Sequence, residues 1–209
     1  MHGAERGGLT PSHGLIREAV RRSGLPVHVL LRPRGGDFVY SAAELDVMRE
    51  DLEHARRMGA SGVVLGVLHP DGTVDTEKTR EFVAMAGALE VTFHRAFDDV
   101  VCQEQALEEV IAAGCRRVLS SGGEPDVVRG VESLARLGKL AAGRIDVAVG
   151  GGLRLNNAAA VARATRARHF HGSLRRVANL LEGEDTLSGM RFTVASNDVR
   201  QMVETLRNA

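Results

Sequence analysis

Apolar positions in this chain gather in six short runs, at residues 27–31, 62–68, 89–93, 117–120, 145–149 and 169–171. Most are too short for helices and read as buried parallel strands. Between them lie stretches of helical period rich in Ala, Glu, Arg and Leu, at 12–22, 42–58, 75–86, 101–113, 125–137 and 155–165. Ser41 followed by Glu44 offers a capping box for the second of these helices. Gly59 and Gly114 supply stops for the second and fourth. A last helix, 197–206, follows a Gly/Ser-rich, acidic stretch at 182–196 that reads as a mobile loop.

Consecutive strand–helix units require right-handed crossovers, which leaves an open doubly wound sheet or a closed barrel. Polar, chemistry-bearing residues follow at least five of the six strands, whereas an open sheet concentrates them at one switch point. The pattern therefore predicts an α/β barrel. A Gly-Gly-Gly turn at 150–152 and His171-Gly172-Ser173 follow the last two strands, where barrels commonly place a phosphate site. Six strands are two short of the usual eight and would leave two unpaired edges.

Length and composition narrow the picture. The 209 residues fit one domain, 1–209. Lys plus Arg and Asp plus Glu each number 27, and there are only six phenylalanines, one tyrosine and no tryptophan, so no platform for nucleic acid is evident. No apolar run approaches membrane-spanning length, and the first dozen residues lack a secretory apolar core. Cys102 and Cys115 form no CxxC pair and no disulfide framework, which points to a reducing, cytoplasmic setting.

The candidate chemistry sits at the strand ends. Arg32 and Arg34 share one side of an extended segment, with Asp37 beyond a Gly-Gly, and two guanidiniums suit a carboxylate or phosphate. A network in which carboxylates neutralise those arginines is the competing reading. His94 shares a face with Thr92, and Arg95 points the other way. His94 and Asp98 are candidates for acid–base catalysis or metal ligation; the alternative is a hydrogen-bonded core histidine and a helix-capping aspartate. His169 and His171 form an HxH that an extended strand would present on one face, a half-site for a metal. Cu(I) prefers thiolate and thioether ligands, whereas Cu(II) and zinc accept imidazole. Cys102 and Cys115 read as small apolar fillers at opposite ends of their units. Ser121, Gly151 and Gly152 lie in turns whose backbone can approach an anion, with a tight strand-to-helix turn as the alternative. Asp71-Gly72 and Asp75 read as a turn and a helix cap.

Five segments carry a resemblance: Gly7 to Ser12 (GGLTPS), Arg32 to Tyr40 (RPRGGDFVY), Thr92 to Asp98 (TFHRAFD), Ser121 to Gly123 (SGG) and Gly150 to Gly152 (GGG). In this order they resemble the copper homeostasis protein CutC family. The resemblance implies a TIM-like (β/α) barrel lacking the first one to two of the family's eight strands. It implies an N-terminally shortened member, by a wrongly chosen start codon or as a truncated paralogue, the former favoured because the other motifs are intact. A glutamate- and cysteine-bearing strand end of the family has no counterpart here. The resemblance also implies a cytoplasmic copper-binding protein, with copper as cofactor, His94, His169 and His171 as metal candidates, and the prospect of a homo-oligomer. The alternative from the residues is a barrel enzyme acting on a small phosphorylated or carboxylated metabolite. There Arg32, Arg34, Asp37, Arg95, Ser121, Gly151 and Gly152 hold the ligand, and His94 and Asp98 move the proton. An inactive shortened chain is the third reading.

Overall fold

The computed structural model describes residues 7–177 and 192–209. Six strands form one all-parallel sheet in chain order: β1 His28–Leu30, β2 Gly62–Leu65, β3 Glu90–Phe93, β4 Arg117–Ser120, β5 Asp146–Gly150 and β6 His169–His171. Helices alternate with them: α1 His13–Ser23 before β1, then α2 Ala42–Arg57, α3 Thr76–Ala86, α4 Gln103–Ala112, α5 Val131–Ala141 and α6 Ala158–Thr165. The order β1 to β6 never reverses, so the sheet has no switch point and curls as a partial barrel. Among the described residues no strand lies beyond β1 or β6 in this sheet.

Period two along each strand sorts residues to opposite faces. Val29, Val63, Leu65, Val91, Phe93, Val118 and Val149 turn outward under the helices and are buried. Helix α2 answers with Leu45, Met48, Leu52 and Ala55 at spacings of three and four, all buried. Its N-terminus carries the expected capping box, Ser41 with Glu44, and Gly59 follows it at φ +81°, where a side chain would be strained. Asp75 caps α3 by accepting from the Lys78 N–H, and Phe82 fills the space beneath. Burial of one such side chain contributes roughly 1.5–3 kcal/mol, so the core lies on the convex, helix-covered side.

Some expectations are adjusted. Helix α5 begins at Val131 rather than 125, because Asp126 Oδ1 accepts from the Val128 and Arg129 N–H groups and holds 125–130 as turns. Gly130 packs so closely on the Ser121 carbonyl that a Cβ there would overlap it. A short 3-10 helix, Arg95–Asp98, follows β3. Two strands were not anticipated: β7 Arg175–Val177 pairs antiparallel with β8 Phe192–Val194, ahead of the last helix, α7 Ser196–Arg207. Of the stretch expected to be a mobile loop, residues 182–191 lie outside the described residues and 192–194 form β8. Among the described residues no helix is long and apolar enough to cross a membrane.

Candidate functional site

The concave face of the sheet is a trough of about 1670 Å³. Its floor, near the start of the strands, is polar. Arg117 on β4 reaches Glu90 on β3 at 3.1 Å and donates to the Thr92 hydroxyl. His28 on β1 stands 3.7 Å from Glu90. Burial and then Arg117 lower the pKa of His28, so it is neutral at ordinary pH. Further round, His169 on β6 lies 3.5 Å from Asp146 on β5. His28, in the parity of Arg32, and His169 are the members of this layer that the sequence marks; Glu90, Arg117 and Asp146 carry the signal of a charge at the start of an apolar run.

The upper rim is assembled from motifs far apart in the chain. Just past β1, the Arg32 backbone exchanges hydrogen bonds with Thr10, through the Arg32 N–H to Thr10 Oγ1 and the Thr10 N–H to the Arg32 carbonyl. Its guanidinium is buried, 6% exposed, donates to the carbonyls of Gly8 and Gly36, and lies 4.8 Å over the Phe38 ring. A Cβ on Gly7 would come within 2.8 Å of Arg32 Nη1, and Gly7 has φ +80°. The first two motifs therefore interlock around one arginine.

Arg34 is differently employed. It donates to Glu44, to Asp37 Oδ1 and to the carbonyls of Asp37 and Val39, and stacks 5.1 Å from the Tyr40 ring. Glu44 in turn belongs to the α2 capping box, so Arg34 and Asp37 build the 33–40 loop and fasten it to the helix. Neither lines the trough.

His94, at the end of β3, is 6% exposed and packs 4.7 Å from Phe38. Its Nδ1 accepts the Ala96 N–H at 3.1 Å, which places the ring proton on Nε2. Nε2 is buried with no hydrogen-bond partner among the described residues. Burial, reinforced by Arg32, pushes the His94 pKa down to about 3. The imidazole is neutral at pH 7.

Asp98 serves the next turn. Its carboxylate accepts from Ser120 Oγ at 2.6 Å, the Ser121 N–H at 3.0 Å, the Gly123 N–H at 3.1 Å and Arg95 Nε at 2.7 Å. Arg95 also donates to Ser121 Oγ. A Cβ on Gly151 would sit 3.1 Å from Arg95 Cζ and 2.9 Å from Ser121 Cβ, and one on Gly152 would strike Asp126. The space beside the late glycines is thus filled from within the protein. The helix after them starts only at Ala158, behind an Asn157 turn that holds the Gly152 carbonyl.

Arg32, His94, Arg95, Gly151, Gly152, His169 and His171 all line the trough. His171 has its pKa lowered by burial and then by Arg95. Asp99, next to the Asp98 singled out from sequence, also lines it; its pKa is raised by partial desolvation and by Asp98. The second aspartate of Asp98-Asp99 was the available signal. Arg117, Arg154, Arg175 and Arg176 join Arg32 and Arg95 in the lining, against two acidic residues, Asp99 and Asp198. Among the described residues the lining is therefore rich in arginine, and three of the six are ion-paired, Arg95 with Asp98, Arg117 with Glu90 and Arg176 with Asp198.

This fold and these motifs can be set beside known proteins. The model of the CutC family matches residues 2–176. The chain belongs to the CutC family. A CutC family protein of Chromobacterium violaceum is 50% identical over 169 residues, covering 81% of this chain and 68% of that protein. One from Xylella fastidiosa strain Temecula1 is 48% identical over 176 residues, covering 84% of this chain and 66% of its own length. The chain spans about two thirds of these CutC relatives. The structure of CutC from Streptococcus agalactiae, provisionally named a copper homeostasis protein, is 34% identical with TM-score 0.77, over 82% of this chain and 85% of that one. Deoxyribose phosphate aldolase from Aeropyrum pernix, at 18% identity and TM-score 0.58, shares the fold, a TIM-like barrel here short of full closure.

Proposed function

We propose that the trough binds a small phosphorylated or carboxylated metabolite. The supporting observation is the arginine-rich lining: six arginines face the trough among the described residues, three of them ion-paired, while Arg32 holds its place through backbone carbonyls and Arg154 and Arg175 flank the rim. Arginines gathered on a concave wall raise the local concentration of anions at its mouth. Arg32 and Arg95 supply charge at the strand ends, and His94 Nε2–H offers a neutral, pre-oriented donor to a ligand oxygen, which would satisfy an otherwise orphaned buried group. Proton transfer falls to Asp99, whose raised pKa suits a carboxyl group in that role, while Asp98 is committed to the donors of Arg95, Ser120, Ser121 and Gly123. The likeness to an aldolase does not extend to Schiff-base chemistry here: the two lysines, Lys78 and Lys139, lie on α3 and α5, and neither lines the trough. Two free cysteines accord with a reducing, cytoplasmic setting.

Copper is the role in the name of the Streptococcus agalactiae protein. The donors on this trough fit it poorly. His94 has one nitrogen occupied by a backbone N–H, and the charge of Arg32 disfavours a further positive charge on the ring. His169 is turned to Asp146. Cys115 sits in the core and does not line the trough, and burial pushes its thiol up to about 12, away from the thiolate form that Cu(I) prefers. Among the described residues no three His, Cys, Asp or Glu side chains converge.

The test is calorimetric titration of the full chain with inorganic phosphate, a triose phosphate and small dicarboxylates, in chelator and at two salt concentrations. The expected result is saturable, salt-sensitive binding of at least one anion, abolished by Arg95→Gln and weakened by His94→Phe. At one hundred times the dissociation constant the ligand would add about 2.7 kcal/mol of stability. Absence of binding by every anion, with tight Cu(I) binding lost in His94→Gln, would replace this reading with the copper one.

A further inference from the structure

Outside the trough lining, two histidines from different helices meet at the surface. His13 opens α1 and His54 lies in the last turn of α2. Their ring nitrogens, His13 Nδ1 and His54 Nε2, are 3.1 Å apart, with ring centroids at 5.0 Å and planes inclined by 44°. Neither residue lines the trough, and no sequence motif pointed to them.

Two imidazoles brought this close admit two explanations. One is a single N–H···N hydrogen bond, worth little where water competes. The other is a chelate. Two nitrogens bound to one metal at about 2.0–2.1 Å stand roughly 3.3 Å apart at a tetrahedral angle and about 2.9 Å apart at a right angle. The observed separation falls between these values, so both lone pairs can address one ion without movement of either helix. The backbone holds the pair in place: α2 is fixed by its capping box and buried face, and α1 ends at Gly24 in the left-handed conformation with Ile16 in the core. His54 at a helix C-terminus favours a cation; His13 at an N-terminus opposes it, but both dipole effects are small at the surface. Imidazole ligands on an open face, completed by water, select borderline divalent ions, with Cu(II) held most tightly in the first-row series.

We propose that His13 and His54 form a surface bis-histidine site for a divalent transition-metal ion, Cu(II) foremost, clipping α1 to α2. The site is independent of the trough and of any anion bound there.

The experiment titrates the full chain with Cu(II) and Zn(II), with Cu(II) spectra recorded by electron paramagnetic resonance, for the wild type, His13→Gln, His54→Gln and His94→Gln. We expect one saturable equivalent in the wild type, nitrogen superhyperfine structure from two imidazoles, a raised unfolding midpoint and binding that falls away in acid as imidazole protonates. Each of His13→Gln and His54→Gln should stay folded and lose the two-nitrogen spectrum, while His94→Gln keeps it. No saturable binding by the wild type, or a two-nitrogen signal that survives in the His13→Gln, His54→Gln double variant, would overturn the proposal.

Discussion

Gly66 and His94 are matched as hole and peg: a Cβ on Gly66 would lie 2.5 Å from His94 Nδ1 and 2.6 Å from its Cε1. Glycine at the end of β2 is what allows the ring to lie flat against the strand with Nδ1 on the Ala96 N–H. Gly66→Ala is therefore expected to displace the imidazole and to cost roughly 1–3 kcal/mol by overpacking. Chemical denaturation would show the loss, and the His94 ring resonances would shift. An unchanged midpoint with unchanged resonances would mean the ring is not seated as described.

The same histidine makes stability depend on pH. Its folded-state pKa, about 3, lies below the ordinary value of 6.5, so the unfolded chain binds the proton more readily. The contribution is fully present above pH 6.5 and is lost progressively as pH falls towards 3, at roughly 1 kcal/mol per pH unit through the middle of that window. His28 and His171, both lowered, act in the same direction. Urea midpoints measured from pH 7 to pH 4 should fall less steeply in His94→Phe than in the wild type.

Removing the Asp98 side chain would strand two backbone N–H groups, a serine hydroxyl and Arg95 Nε around an empty space. Asp98→Ala is expected to cost about 3 kcal/mol and to loosen the 121–123 turn, seen as faster amide exchange at Ser121 and Gly123. If Asp98 served only in proton transfer, the substitution would leave the unfolding midpoint where it was.

The two cysteines should separate by reactivity. Cys102 is exposed at the start of α4, whereas Cys115 is buried and its thiol is raised to about 12. An aromatic disulfide reagent should titrate one thiol in the native protein and two in denaturant. Two fast thiols under native conditions would show that the core beneath β4 opens readily.

Much of this arrangement was legible from the chain. The six strand segments follow from short apolar runs, and the Ser41, Glu44 and Asp75 caps follow from local chemistry, since each device acts within a few residues. What escaped was set by distance in sequence. Gly7 and Gly8 make sense only against Arg32, more than twenty residues on, and Asp98 is explained by donors at 120–123. Arg32 and Arg34 looked equivalent, yet the backbone turns one toward the trough and gives the other to a loop and a helix cap. His13 and His54 carried no mark at all, because nothing in either helix announces which residues of its neighbour it will meet. The β7–β8 pair was hidden by its separation across the acidic stretch.

The convex, helix-covered side holds the apolar packing, while the floor of the trough is written in Glu90, Arg117, His28, Asp146 and His169. Folding and ligand choice are thereby assigned to opposite faces of the same six strands. A change of residue on the inner parity would retune what the concavity admits and leave the chain's ability to fold largely intact, so this architecture can exchange one small molecule for another without rebuilding its frame.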